Sequence, residues 1–202
     1  MNKEIAFILG NGITRLQVNC ENLLDIGLVY GCNRIYQEFS PTVLVSTDKE
    51  MATEIQNNGY SSRNVHYTRK NNKIAKSGSN ILPAHLWSLS SGPAALGLAS
   101  ESSANYLYMI GMDLKGINNK INNIYAGTAN YKDKDSIPTH FDNWISQIDT
   151  IIKKAELKRF IQVNPLSGFT PDVWIKNDNF EIMNINEFKR LINNTHNRIS
   201  SS

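Results

Sequence analysis

The sequence predicts an α/β domain with a Rossmann-like, doubly wound, mostly parallel sheet in a three-layer αβα arrangement. Three observations lead there. Short β-rich apolar runs alternate with segments of helical spacing, the pattern that builds parallel sheets. The run at 105–111, "NYLYMIG", is apolar almost without a break, as expected of a strand covered on both faces. The first run, "IAFIL" at 5–9, turns abruptly into Gly10-Asn11-Gly12, a turn that lets backbone approach a ligand closely at the end of a first strand.

In chain order, strands are expected at 5–9, at 27–31 ("GLVYG"), at 42–46 ("TVLVS"), at 65–67 ("VHY"), at 105–111 and at 159–163 ("RFIQV"). Helices are expected between them. Residues 49–59 have helical spacing and end at Gly59, and 92–103 are rich in small residues with Pro93 suited to a first turn. Residues 140–157 place Trp144, Ile148, Ile151 and Ile152 on one face, with lysines at the C-terminal end. A short last helix is expected at 185–194, followed by a frayed tail over 195–202. Residues 68–86 read as irregular, polar and basic. Residues 114–139 read as a long loop or lid. No repeat or linker divides the chain, so residues 1–202 form one domain.

With 202 residues and 41% hydrophobic content, the chain has enough apolar material for a real core. A net charge of +3 is too small to argue for nucleic acid as a partner. Two cysteines, Cys20 and Cys32, lack C-x-x-C spacing and are read as free thiols in a reducing compartment. The first apolar run is too short for a signal peptide, and no run reaches transmembrane length. A cytoplasmic protein without stable membrane insertion is therefore expected, with homo-oligomerisation left open.

In open parallel sheets, ligands bind beyond the carboxyl ends of the strands. Those ends carry Gly10-Asn11-Gly12, Cys32-Asn33, Ser46-Thr47-Asp48, Gly111 with Asp113, and Asn164. Amides and hydroxyls both donate and accept, and so suit base edges, ribose or phosphate. Asparagine is also frequent throughout this chain and is a common turn and cap residue, so each position has a purely structural alternative. Gly10-Asn11-Gly12 does not match a dinucleotide fingerprint, because Arg15 stands where a third glycine is needed and Asn33 where an acidic ribose contact belongs. Ser90, Ser91 and Gly92 precede a helix, where free N–H groups favour phosphate or carboxylate; a plain N-cap is the alternative. The long loop carries Tyr125 and Tyr131, and His140 stands at the start of the next helix. Tyrosine hydroxyls can donate to a departing phosphate, and histidine is a common general base. Asp133-Lys134-Asp135 is read as a solvated turn rather than a metal site, and neither metal nor cofactor is expected.

The order of "ILGNGIT", "GCNRIY", "SSGPAALGLA", "YLYMIGMDL", the Tyr125/Tyr131 pair, His140 and "VNPLSG" resembles the metal-independent bacterial sialyltransferases that use CMP-sialic acid (glycosyltransferase family 42). It also resembles the wider group of Rossmann-like proteins with a GNG turn. Ile13-Thr14 replaces that family's usual Pro-Ser. The resemblance implies a CMP-type nucleotide sugar as donor and a glycan or small hydroxyl compound as acceptor. It gives Asn11 and Asn33 contacts to phosphate and ribose, and Ser90, Ser91 and Gly92 contacts to phosphate or the sugar carboxylate. Tyr125 and Tyr131 would bond the leaving phosphate, and His140 would take the acceptor's proton. Two alternatives are a non-catalytic nucleotide-binding or sensing module, and a metal-dependent pyrophosphokinase-like transferase using Asp48, Asp113 or the Asp133-Lys134-Asp135 stretch.

Overall fold

A computed structural model describes residues 4–138 and 140–200. Eight parallel strands form one sheet, in the order β5-β4-β3-β2-β1-β6-β7-β8. The strands are β1 Ile5–Leu9, β2 Leu28–Cys32, β3 Val43–Ser46, β4 His66–Thr68, β5 Asn80–Ile81, β6 Tyr106–Ile110, β7 Arg159–Val163 and β8 Phe180–Met183. The helices are α1 Lys49–Asn57, α2 Ser91–Ser100, α3 Asp142–Lys154, α4 Asp172–Ile175 and α5 Ile185–Ser200. The fold is the three-layer α/β arrangement that the alternation of runs predicts.

Each central strand is apolar on both faces because each face carries its own core. Along β1, Ala6 and Ile8 pack with α2, α3 and Trp174 of α4. Phe7 and Leu9 point the other way, to Met51 and Ile55 of α1 and Phe188 and Ile192 of α5. A period of two in side-chain direction, with both faces covered, gives the continuous apolar runs read in the sequence.

Two strands were not legible. β5 has only Asn80 and Ile81, both exposed, and β8 at the far edge has no buried residue, Glu181 and Ile182 being exposed and Phe180 and Met183 half-buried. Neither has an apolar run to betray it. The last helix continues to Ser200, past the predicted end at 194, because no Gly or Pro interrupts it and Ile185, Phe188 and Ile192 keep helical spacing. Among the described residues no helix is long and apolar enough to cross a membrane.

The chain starts in the middle of the sheet and winds outward twice. The β1–β2 connection, made of 3₁₀ turns at Ile13–Gln17 and Glu21–Asp25, packs Leu23 and Ile26 on the α5 face. The β6–β7 connection places α3 on the opposite face. The switch point therefore lies between β1 and β6, whose register pairs Leu9 with Ile110 and brings Gly10 beside Gly111.

Candidate functional site

The turns after β1 and β6 are joined by backbone. The Gly10 N–H donates to the Ile110 carbonyl at 2.8 Å, and the Gly12 N–H to that of Gly111 at 2.8 Å. A Cβ on Gly10 would stand 2.4 Å from the Gly111 oxygen, and one on Gly12 would stand 2.4 Å from Asp113 Cγ. Both glycines are thus required by this seam, whatever binds above it. The Asp113 carboxylate, 2% exposed, occupies the room that Gly12 leaves. Its Oδ2 accepts the Thr14 N–H at 3.1 Å and the Asn122 amide at 3.0 Å. Thr14 also accepts the Leu166 N–H on its hydroxyl at 2.6 Å.

A cleft of about 530 Å³ opens over this seam, at the carboxyl ends of β1, β2, β3, β4 and β6. Such a volume is ordinary for a small-molecule site. Gly10, Asn11, Gly12, Asn33, Ser90, Ser91, Gly92 and Tyr131 line it together, with Cys32, Thr47, Asp48, Gly111 and Asp113 from the same strand ends. Asn11 Nδ2 lies 3.4 Å from the Tyr131 hydroxyl, and its Oδ1 accepts weakly from Cys32 Sγ at 4.0 Å. Asn33 holds a left-handed φ of 55°, a conformation that asparagine tolerates. Its buried Oδ1 has no hydrogen-bond partner among the described residues. Burial, the dominant cause, raises the Tyr131 pKa and keeps this hydroxyl a neutral donor. The two cysteines are free and buried, and burial pushes the Cys32 thiol up to about 12.

The N-terminus of α2 forms one wall. The first turn's bond runs from the Ala94 N–H to the Ser90 carbonyl, so the N–H groups of Ser91 and Gly92 lie ahead of it, at the positive end of the helix dipole. The Ser91 hydroxyl, 2.9 Å from the Thr47 N–H, ties this terminus to the end of β3. Ser90 Oγ accepts the Trp144 indole N–H at 2.8 Å.

Several lining residues went unrecognised in the sequence. Arg69 follows β4 and donates to the Leu89 carbonyl at 3.0 Å; it lay inside a stretch read only as basic loop. Helical spacing puts Trp144 on the apolar face of α3, yet with Phe141 it forms an aromatic wall, the ring centroids 5.4 Å apart. Charges around the cleft are mixed: Asp48, Glu50 and Asp113 against Arg69 and Lys132.

Three predicted site residues are placed elsewhere. Ser46 is fully buried, and its hydroxyl lies 2.7 Å from His66 Nε2, while Ser61 and Ser79 hold Nδ1 at 2.9 Å. As the last residue of β3 it faces the neighbouring strand, whereas Thr47, one residue later, reaches the cleft. Tyr125 is buried away from the cleft. Its hydroxyl is shared between Glu38 Oε1 and Arg15 Nη2, and Arg15 is paired through both terminal nitrogens with Glu38 at 2.8 Å. Burial opposes the Arg15 charge, but Glu38 and Tyr125 more than offset it, so the guanidinium pKa is raised. His140 is exposed and does not line the cleft, although Phe141 and Trp144 of the same segment do.

A second acidic anchor holds the same loop. Glu54 accepts from Arg34 at 2.8 Å, from the Tyr36 hydroxyl at 2.8 Å and from Asn130 at 2.9 Å. Asp133 and Asp135 form a solvated turn, the second paired with exposed Lys120 at 2.6 Å. No protein-family model, curated protein or solved structure matches this chain.

Proposed function

We propose that this protein binds a CMP-type nucleotide sugar in the switch-point cleft and transfers the sugar to a hydroxyl acceptor without a metal. The observation that carries the reading is convergence: Asn11, Asn33, Ser90, Ser91 and Tyr131, distant in sequence, line one cleft at the carboxyl ends of the strands. The α2 N-terminus and Arg69 supply the positive side for a phosphate or carboxylate. The Phe141/Trp144 wall offers a stacking surface for a base.

In the reaction, the acceptor oxygen forms a bond to the anomeric carbon as the bond from that carbon to the phosphate oxygen breaks. The hydroxyl proton passes to His140, exposed and next in the chain to the lining residue Phe141, and CMP leaves. The Tyr131 hydroxyl donates to the phosphate as its charge grows. Tyr125 acts on the leaving group only through the loop that it anchors.

A second reading, a nucleotide-binding module without turnover, draws on the exposed position of His140 and the commitment of the Tyr125 hydroxyl to Glu38 and Arg15. Calorimetry and thermal melting with CMP and CMP-sialic acid test both readings. Binding with donor consumption that His140→Ala abolishes, while CMP affinity is kept, supports transfer. Binding without consumption supports the module. No binding and no shift in melting temperature removes both.

A further inference from the structure

Asp113 has a feature that its structural bonds do not use. Its Oδ2 takes the Thr14 N–H and the Asn122 amide, but Oδ1 is buried with no hydrogen-bond partner among the described residues. A polar oxygen out of water without a donor is costly, and such atoms call for a missing partner. This residue lines the cleft. We infer that Asp113 is a ligand-reading residue, whose Oδ1 accepts a hydrogen bond from a hydroxyl of the bound molecule. The inference rests on the nucleotide-sugar reading of the same cleft and adds to it where the hydroxylated part lies.

The direction follows from the donors. Asp48 and Glu50 line the β3 side as Asp113 lines the β6 side, but the N–H groups of the α2 N-terminus and the Arg69 guanidinium lie beside the ends of β3 and β4, and the anionic part of the ligand goes to them. The neutral, hydroxylated part then lies on the β6 side, against Asp113. A cation is the weaker partner, because no group of three or more His, Cys, Asp or Glu among the described residues is arranged to hold a metal. Asn33 Oδ1, the other orphaned acceptor of the lining, sits at the end of β2, across β1 from Asp113. β2 and β6 are two strand spacings apart, about 10 Å. The cleft thus presents acceptors at two separated points, which suits a molecule carrying hydroxyl or amine donors at both, as a nucleotide sugar does.

Asp113→Asn is the informative change. The asparagine carbonyl can keep the Thr14 and Asn122 bonds, which turns the unpartnered acceptor into an NH₂ donor. Calorimetric titrations would compare CMP, 2′,3′-dideoxy-CMP and CMP-sialic acid on wild type and variant. We expect wild type to bind CMP about tenfold to a hundredfold more tightly than the dideoxy compound, with that difference lost in the variant. If the hydroxyl belongs to the sugar instead, the variant loses only the affinity that CMP-sialic acid has over CMP. A variant that binds all three ligands as wild type does overturns the inference and leaves the nucleotide reading standing. Wild type that binds none of them removes that reading, and the inference with it. Should the variant not fold, the wild-type series decides: equal affinity for all three ligands overturns the inference.

Discussion

Gly10 and Gly111 face each other across the seam between β1 and β6, so close that a Cβ on Gly10 would lie 2.4 Å from the Gly111 carbonyl oxygen. The obstruction is backbone, which cannot swing aside. Gly10→Ala should therefore destabilise the protein by about 1–3 kcal/mol, the usual cost of overpacking a filled interior. Urea denaturation monitored by circular dichroism measures it. An unchanged midpoint would mean that the seam can open without cost.

Glu38 is the carboxylate for a nearly fully buried Arg15, but its own side chain is 42% exposed. Burial works against the Glu38 charge, and its bonds to Arg15 and Tyr125 nevertheless hold its pKa below the usual carboxylate value. Glu38→Gln leaves the guanidinium with a neutral partner. Water reaches one side of the pair, so the expected loss is modest, about 1–2 kcal/mol. Because Tyr125 is tied to the same carboxylate, limited proteolysis within 114–139 should become faster. Unchanged cleavage would show that this cluster does not hold the loop.

Trp144 stands in the aromatic wall, with its indole N–H on Ser90. If a base stacks there, Trp144→Ala should lower CMP affinity by about tenfold or more. CMP should also quench wild-type tryptophan fluorescence through Trp144, because of the other two tryptophans Trp174 is fully buried in the core and Trp87 does not line the cleft. Quenching that persists in the variant would place the ligand away from this wall.

His66 is fully buried among three serine hydroxyls, and burial lowers its pKa from 6.5 to about 4. The unfolded chain therefore takes up a proton at a pH where the folded chain does not. Stability from this group is present above about pH 6.5 and is lost as pH falls toward 4, by about 2–3 kcal/mol between pH 7 and 4.5. His66→Gln removes the titration, so the stability gap between wild type and variant should narrow over that range. A constant gap in chemical denaturation would count against it.

Much of this architecture was legible because burial writes itself into apolar runs. Phe7, Leu44, Met109 and Phe160 sit in strands that the runs located. The carboxyl ends of those strands then pointed to Asn11 and Asn33. What the chain does not announce is which of two like residues faces the cleft. Tyr125 and Tyr131 are the same residue type six positions apart, and only the tertiary placement of Arg15 and Glu38 separates them. Ser46 and Thr47 differ by the alternation of a strand that ends between them. Arg69 enters the site through topology, because β4 lies next to β3 in the sheet. Trp144 looks like core because helical spacing reports an apolar stripe and not what lies opposite it.

The loop carrying Tyr131 is held by Glu38 from the β2–β3 crossover and by Glu54 on α1, through Arg15, Tyr125 and Asn130. Its conformation is therefore encoded by three stretches that are far apart in the chain. For anyone transplanting this loop into a related scaffold, residues 114–139 alone are an incomplete graft. Arg15, Glu38 and Glu54 have to travel with them, and a chimera that omits them would carry Tyr131 without the framework that aims its hydroxyl.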